Sequence, residues 1–472
     1  MDIALSPQIA AVILLFFGLL WVGFGYYLGR SNNTLEDYML AGRNVGLAFA
    51  SATAMATWVT SNTTMTAPQL TFQLGVWGMV GYSLGAVGLL LFAPLAARIK
   101  TLLPHGFTSG DFIRRRYGVL AWRIFLIISL FYALGWLISL GMAGGILVNA
   151  LSGLPYHLGM SIILLVCVSY TLLGGLRAVI ATDFIQTLII IIGVVVIAFL
   201  VIDKVGFEAM HSKLTEDHPQ LLNLLFPAAI MFLFNNLLFG VGEIFHSNVW
   251  WSRAFAFRDK TGAKAYVLAG ICWLPIPIVA GFVALAAPVL GIPVPSADMV
   301  GPLVAGKILG TLGAIIVFIV VFSALASSLD SLLAATADLI TQDIYRGHIN
   351  KNASEVHYFK ASKMIVILLG LLTWLLCLPK LATLASLLYF TGAFVASAIW
   401  PIVFGLYFRW PGKLAASGAM VAGTCIGLWS YFYIGFYVAA LVSCGVSLVV
   451  MLLLSGMARE TFDFNQLQKA ES

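Results

Sequence analysis

Apolar runs near twenty residues long follow one another from one end of this chain to the other, and they leave few folds open to it. The hydrocarbon core of a bilayer is about 30 Å thick, and a helix of roughly 20 residues crosses it. Thirteen such stretches can be marked, at 8–29, 45–71, 74–98, 122–150, 156–174, 177–203, 222–245, 264–290, 308–342, 359–378, 381–408, 414–432 and 436–457. The longer ones cross at a tilt or run out of the membrane. The polar end Thr341-Gln342-Asp343 should therefore emerge from the lipid. Lipid offers no partner for backbone polar groups, so apolar spans of this length are helices. With 61% hydrophobic and 9% charged residues, and a mean hydropathy of +1.01, the chain is not an ordinary soluble globular protein. The expected fold is an all-α polytopic membrane protein of about 13 transmembrane helices, read as one unit over residues 1–472. The first stretch is taken as an extra N-terminal helix and the others as spans 1 to 12.

The basic residues test that count, because loops on the cytoplasmic side are enriched in Lys and Arg. With the N-terminus outside, the inside loops and their helix ends hold 21 of the 25 Lys and Arg. The outside regions hold Lys204, Lys213, Lys307 and Lys380. A net charge of +6 is thus a topology signal, and nucleic acid is not an expected partner. The C-terminus is expected in the cytoplasm, with 458–472 as a short tail. The start, Met-Asp-Ile-Ala, has no basic region or small-residue cleavage site, so the first span is expected to be retained. Cys167, Cys272, Cys377, Cys425 and Cys444 show no metal or disulfide spacing and read as small packing residues.

Three spans carry polar residues that lipid-facing helices avoid. Ser327-Ser328-Leu329-Asp330-Ser331 follows the apolar run from Ala314 to Phe322. A carboxylate at membrane depth costs roughly 3 kcal/mol on insertion scales, and unpaired hydroxyls add to that. Clustered, they form a nest of hard oxygens suited to a small cation; singly, serines also bond back to carbonyls of their own helix. Span 1 is crowded with Thr57, Thr60, Ser61, Asn62, Thr63, Thr64 and Thr66 ahead of Pro68, and span 6 has Asn235, Asn236 and then Gly240-Val241-Gly242-Glu243. Interrupted polar spans five helices apart point to an inverted-repeat transporter, in which broken helices offer backbone groups to solute and ions. The repeats would cover 45–203 and 222–408, followed by two C-terminal helices at 414–457.

Local patterns add a resemblance. Asp37-Tyr38-Met39-Leu40-Ala41-Gly42-Arg43, the stretch Gly153–Ala178, Trp251-Ser252-Arg253-Ala254-Phe255-Ala256, the serine–aspartate cluster followed by Thr341-Gln342-Asp343-Ile344-Tyr345, and Arg409–Gly423 occur in the order found in the sodium:solute symporter family. The chain resembles that family from about residue 37 to 423. The resemblance implies the leucine-transporter-type five-plus-five inverted repeat and a coupling Na⁺ between spans 1 and 8. Its ligands would be the carbonyls of Ala56, Val59 and Ala324 and the hydroxyls of Ser327 and Ser328. Some relatives carry a second sodium site, whose matching positions here are Asp183, Asp330 and Ser331. Two carboxylates there would bind a second ion, share a proton or pair elsewhere, with Arg177 one candidate partner of Asp183. The solute would lie near mid-membrane, with Trp58, Thr60, Thr63, Gln73, Asn235, Asn236 and Tyr389 as candidate contacts. Trp58 reads equally as a lid or as packing. Phe125 to Asn149 holds no charged residue, which disfavours a strongly anionic solute. Glu243 would meet an amine, or neighbour His246 or Arg253 at the inner surface.

The expected function is a sodium-coupled symporter importing a small polar organic solute by alternating access across the cytoplasmic (inner) membrane of a prokaryote. Its expected partners are that solute and membrane lipid, with no obligatory protein partner. A passive channel or facilitator, a solute sensor and a proton-coupled symporter are the rival readings. The tail after Met457 is short for a signalling domain. No nucleophile–base set stands out, so an enzyme is not expected.

Overall fold

The computed structural model describes residues 5–30, 34–380, 382–457 and 460–468. Residues 1–4 and, of the tail expected at 458–472, residues 458, 459 and 469–472 lie outside the described residues. Helix α1 (Pro7–Gly29) starts at a Ser6 cap and is followed by the short α2 (Leu35–Leu40), capped reciprocally by Thr34 and Asp37. Most of α1's large side chains (Val12, Leu15, Phe16, Leu19) are exposed, as on a surface turned to lipid. Its small face is buried: Gly25 and Gly29 lie against the backbone of Tyr170, Leu173 and Gly174.

The first internal span is broken. Helix α3 (Leu47–Trp58) stops where Val59 leaves helical geometry at φ −81°, ψ 81°. A π-helical turn, Asn62–Thr66, leads into α4 (Ala67–Leu74). Threonine chemistry explains the break. The Thr60 hydroxyl accepts from the Thr63 N–H and the Thr63 hydroxyl accepts from the Thr60 N–H, at 3.1 and 3.2 Å. Thr63 also donates to the Trp58 carbonyl at 3.1 Å. Side chains thus replace the backbone ladder where it is lost.

The chain continues through α5 (Val76–Ser83), α6 (Ala86–Leu102) and α7 (Ser109–Ser152), the last bent at Gly118. Helix α8 (Tyr156–Val205) is 50 residues long but turns back on itself at Gly175, where φ is +59°. Tyr170 bonds the Ala326 carbonyl and Asp183 bonds Ser327, adjacent residues of one helix. A straight helix would hold Tyr170 and Asp183 about 20 Å apart. Two spans thus meet at Gly175, two residues before the turn expected at Arg177. Helix α9 (Phe207–Asp217) precedes α10 (Pro227–His246), α11 (Asn248–Ala256) and a span in three pieces, α12 (Gly262–Trp273), α13 (Pro275–Ala284) and α14 (Ala286–Val289).

Helix α15 (Val300–Leu339) bends at Gly310 and ends in a π-helical run, Ile340–Ile349. After it come α16 (Glu355–Cys377), α17 (Leu384–Ser397), α18 (Ile399–Tyr407), α19 (Lys413–Tyr433), α20 (Ala439–Met457) and the short α21 (Asn465–Gln468). Among the described residues no strand forms. Eleven helical segments among the described residues are long and apolar enough to cross a membrane. The expected count of thirteen would need the folded-back α8 to be read as two passes and the broken α3–α4 as one more.

Candidate functional site

The break after α3 lies against the serine cluster of α15. Ser328 donates to the Thr57 carbonyl and to the Ala324 carbonyl, both at 3.1 Å. The Thr57 and Ser331 hydroxyls are 3.2 Å apart. Ser327 donates to Asp183 on α8 at 2.5 Å. Ala56, Val59 and Ala324 are fully buried on the same two elements. Hydroxyls, main-chain carbonyls and one carboxylate converge here, an all-oxygen donor set that fits a hard monovalent cation. Buried polar atoms without partners gather at the break too: Trp58 Nε1, Ser61 Oγ and Asn62 Nδ2. Such atoms in a native fold call for a ligand, an ion or water.

Beside the positions matched to a second ion, a shared proton or a pairing elsewhere lies an arginine. Arg253, on α11, is fully buried. Its guanidinium donates to Ser331 and Thr57, each at 2.7 Å, and to Thr53 at 3.0 Å. It forms an ion pair with Asp183 at 3.4 Å. Asp183 also accepts from Thr53 at 2.6 Å. The cation beside Asp183 is thus Arg253 and not Arg177, which is exposed. Asp330 points elsewhere: it accepts from the Tyr170 hydroxyl and from the Ser331 N–H. The three positions have different partners: Asp183 and Ser331 are on the guanidinium and Asp330 is on a tyrosine.

A chamber lined by Trp58, Thr60, Tyr82, Gly85, Trp136, Asn236, Phe239 and Trp273 lies beside the break. Its rings are packed on one another. Trp58 stacks on Trp136 with centroids 5.9 Å apart and lies 5.7 Å from Trp273; Trp136 stacks on Phe239 at 5.8 Å. Free space is about 10 Å³, hardly one water, so the rings must part to admit a solute.

The expected solute contacts divide accordingly. Trp58, Thr60 and Asn236 line the chamber. Thr63 braces the break, and Tyr389 stands behind Asn236, donating to its carbonyl oxygen at 2.7 Å. Asn235 faces away: its side chain accepts from the N–H groups of Ala440 and Leu441 at 2.8 and 3.2 Å and so caps the start of α20. Gln73 is exposed beyond the break. Neither is among the chamber's lining residues in this structure. A polar residue on a span is equally suited to another helix's backbone or to the surface, and spacing alone does not separate these. Tyr82, Trp136, Phe239 and Trp273 were missed because an aromatic lining a chamber and an aromatic filling a core look alike in sequence.

Glu243 is buried, not surface-facing. One carboxylate oxygen accepts from the Tyr132 hydroxyl at 2.5 Å and the other from Trp250 Nε1 at 2.9 Å. His246 bonds Ser129 at 2.9 Å instead.

The chain is similar in sequence to several known transporters. It is 28% identical over 440 residues to the urea-proton symporter of Oryza sativa subsp. japonica, covering 85% of this chain and 61% of that protein. It is 27% identical to the urea active transporter of Saccharomyces cerevisiae, over 84% of this chain and 58% of that one. It is 27% identical to the osmoregulated proline transporter of Bacillus subtilis, with 84% of each chain covered. The chain therefore spans about three-fifths of the length of the two urea transporters. In fold it is similar to a Na⁺-coupled sialic acid symporter, with a TM-score of 0.78 at 16% identity over 96% of this chain and 99% of that one. A nucleobase-cation-symport-1 family transporter gives 0.53 at 16% identity over 91% and 96%. These likenesses establish the leucine-transporter-type fold, and the relatives are transporters, not enzymes. Residues 38–427 match the profile of the sodium:solute symporter family, so the chain is a member of that family.

Proposed function

We propose that this protein is a sodium-coupled secondary transporter that imports a small polar organic solute by alternating access. The observation that carries the reading is the convergence of Ser327, Ser328 and the Thr57 and Ala324 carbonyls where α3 breaks. In this reading the ion's ligands are the Ser327 and Ser328 hydroxyls with carbonyls from Ala56, Val59 and Ala324. Bound Na⁺ would supply positive charge that holds α3 against α15, and its departure would free them to separate. Arg253 serves as a tethered second cation, so one sodium suffices. Solute would enter the chamber at Trp58, Thr60 and Asn236, beside the ion. The repeats would cover 45–203 and 222–408, with the N-terminus outside and the C-terminus in the cytoplasm of a prokaryotic cell. Lipid would surround the exposed apolar side chains.

A second reading, proton coupling, is favoured by one feature. Asp330 is fully buried and its partners are the neutral Tyr170 hydroxyl and a backbone N–H. A carboxylate so placed takes up a proton as readily as it faces a metal ion. Proteoliposome uptake of labelled urea, proline and small amines under a sodium, potassium or proton gradient decides. Accumulation driven by sodium alone supports the first reading. Accumulation driven by the proton gradient without sodium establishes the second, and uptake that never exceeds equilibration marks a facilitator.

A further inference from the structure

Asp183, Asp330 and Glu243 are buried carboxylates; the first two lie against the serine cluster and Tyr170, and Arg253 is engaged with Asp183. Glu243 differs from the other two. It comes from α10, and both its oxygens accept hydrogen bonds, from Tyr132 on α7 and Trp250 on α11. Both donors are neutral. Tyr82 on α5 is a titratable neighbour, and His246 follows three residues later on the same helix with its Nε2 paired with Ser129. A buried carboxylate without a cation is costly, and a cation that arrives beside it recovers that cost.

The donors to Glu243 are also part of the chamber's ring system. Trp250 meets Trp58 edge-on with centroids 5.6 Å apart, and Tyr132 lies 5.6 Å from Trp136. An indole or phenol that donates to a carboxylate is polarised by it, and its ring face becomes more negative. Behind those rings, Trp58, Trp136, Trp273, Tyr82 and Phe239 enclose the chamber, and no Lys or Arg is among its lining residues. Aromatic faces with a buried carboxylate behind them form a recognition surface for a positively charged organic group.

We propose that the solute is a small organic ammonium ion, held against the faces of Trp58, Trp136 and Trp273, with Glu243 as its buried counter-charge. This rests on reading the chamber as the solute site. A proton on Glu243 would neutralise the same charge but has no use for the rings. A neutral solute would leave the carboxylate uncompensated.

The test uses the purified full chain in detergent. Tetramethylammonium and ethylammonium are titrated against their neutral counterpart tert-butanol, with tryptophan emission and thermal unfolding as readouts, in sodium and in potassium. The proposal expects both ammonium probes to change tryptophan emission saturably and to raise the unfolding temperature, and tert-butanol to do neither. Glu243→Gln should weaken ammonium binding by at least about tenfold, and Glu243→Asp should keep part of it. Equal responses to tert-butanol and the ammonium probes overturn the proposal without any variant. So does full ammonium affinity in a Glu243→Gln protein that retains its sodium response. Absence of ammonium binding, together with acid-stimulated uptake of urea or proline that Glu243→Gln abolishes, also overturns it and makes Glu243 a proton site. Ammonium binding that is identical in sodium and potassium upholds the proposal and counts against the sodium cradle. A sodium response without ammonium binding does the reverse.

Discussion

At the scale of single residues, Arg253 and Asp183 show how a polar cluster is kept inside a membrane protein. Neither is exposed, and each is the other's compensating charge. Removing one partner of such a pair leaves an isolated buried ion and typically costs about 3–5 kcal/mol, whereas removing both costs far less. Arg253→Met and Asp183→Asn should therefore each lower the unfolding temperature sharply, and the double variant should recover much of the loss. Thermal unfolding of the purified variants measures this, and additive losses would show that the two act separately. The serine–aspartate cluster was legible in the sequence, because oxygen-rich residues inside an apolar span demand a reason. Arg253 was not. It sits in a basic stretch that charge sorting assigned to the cytoplasmic side, and its carboxylate partner lies 70 residues away. Only the folding back of α8 brings Asp183 to it.

At the scale of elements, two interruptions organise the site. The break after α3 was visible from its threonines, whose hydroxyls compete with the backbone ladder. The reversal of α8 depends on Gly175. A Cβ there would sit 2.5 Å from the Tyr38 ring and 2.7 Å from the Tyr38 carbonyl oxygen, in a backbone conformation that L side chains rarely adopt. The conformation alone costs on the order of 1–3 kcal/mol, and the contact adds to it. Gly175→Ala should lower both folded yield and unfolding temperature. Gly23→Ala on α1, where a Cβ meets nothing within 4 Å, should leave both near wild type. Equal behaviour of the two variants would mean that the turn tolerates a side chain and that α8 is not held as described. Other boundaries were harder to read. The piecewise spans α12–α14 and α17–α18 are predominantly apolar, so hydropathy shows one segment where the backbone makes several.

At the scale of the whole molecule, the chain reads as a membrane bundle with many large apolar side chains on its outer surface and polar clusters set inside an apolar core. Sorting of the basic residues predicts that a reporter active only in the cytoplasm will work when fused after Met457. One inserted near Lys213, on α9, should be silent. The opposite pattern would overturn both the orientation and the count of passes. The membrane class and the serine cluster followed from composition and pattern, since lipid excludes most polar groups. The chamber did not, because its aromatic walls obey the same apolar rule as the core around them. The central claim is that the junction of α3 and α15 binds one coupling sodium, with Arg253 standing as the second cation. Equilibrium binding of radioactive sodium to the purified protein tests it most directly. The account predicts saturable binding of about one sodium per chain by mass action, poorly displaced by potassium and lost in the Ser327→Ala, Ser328→Ala double variant. Two sodium ions per chain, or saturable binding that survives in that double variant, would contradict it.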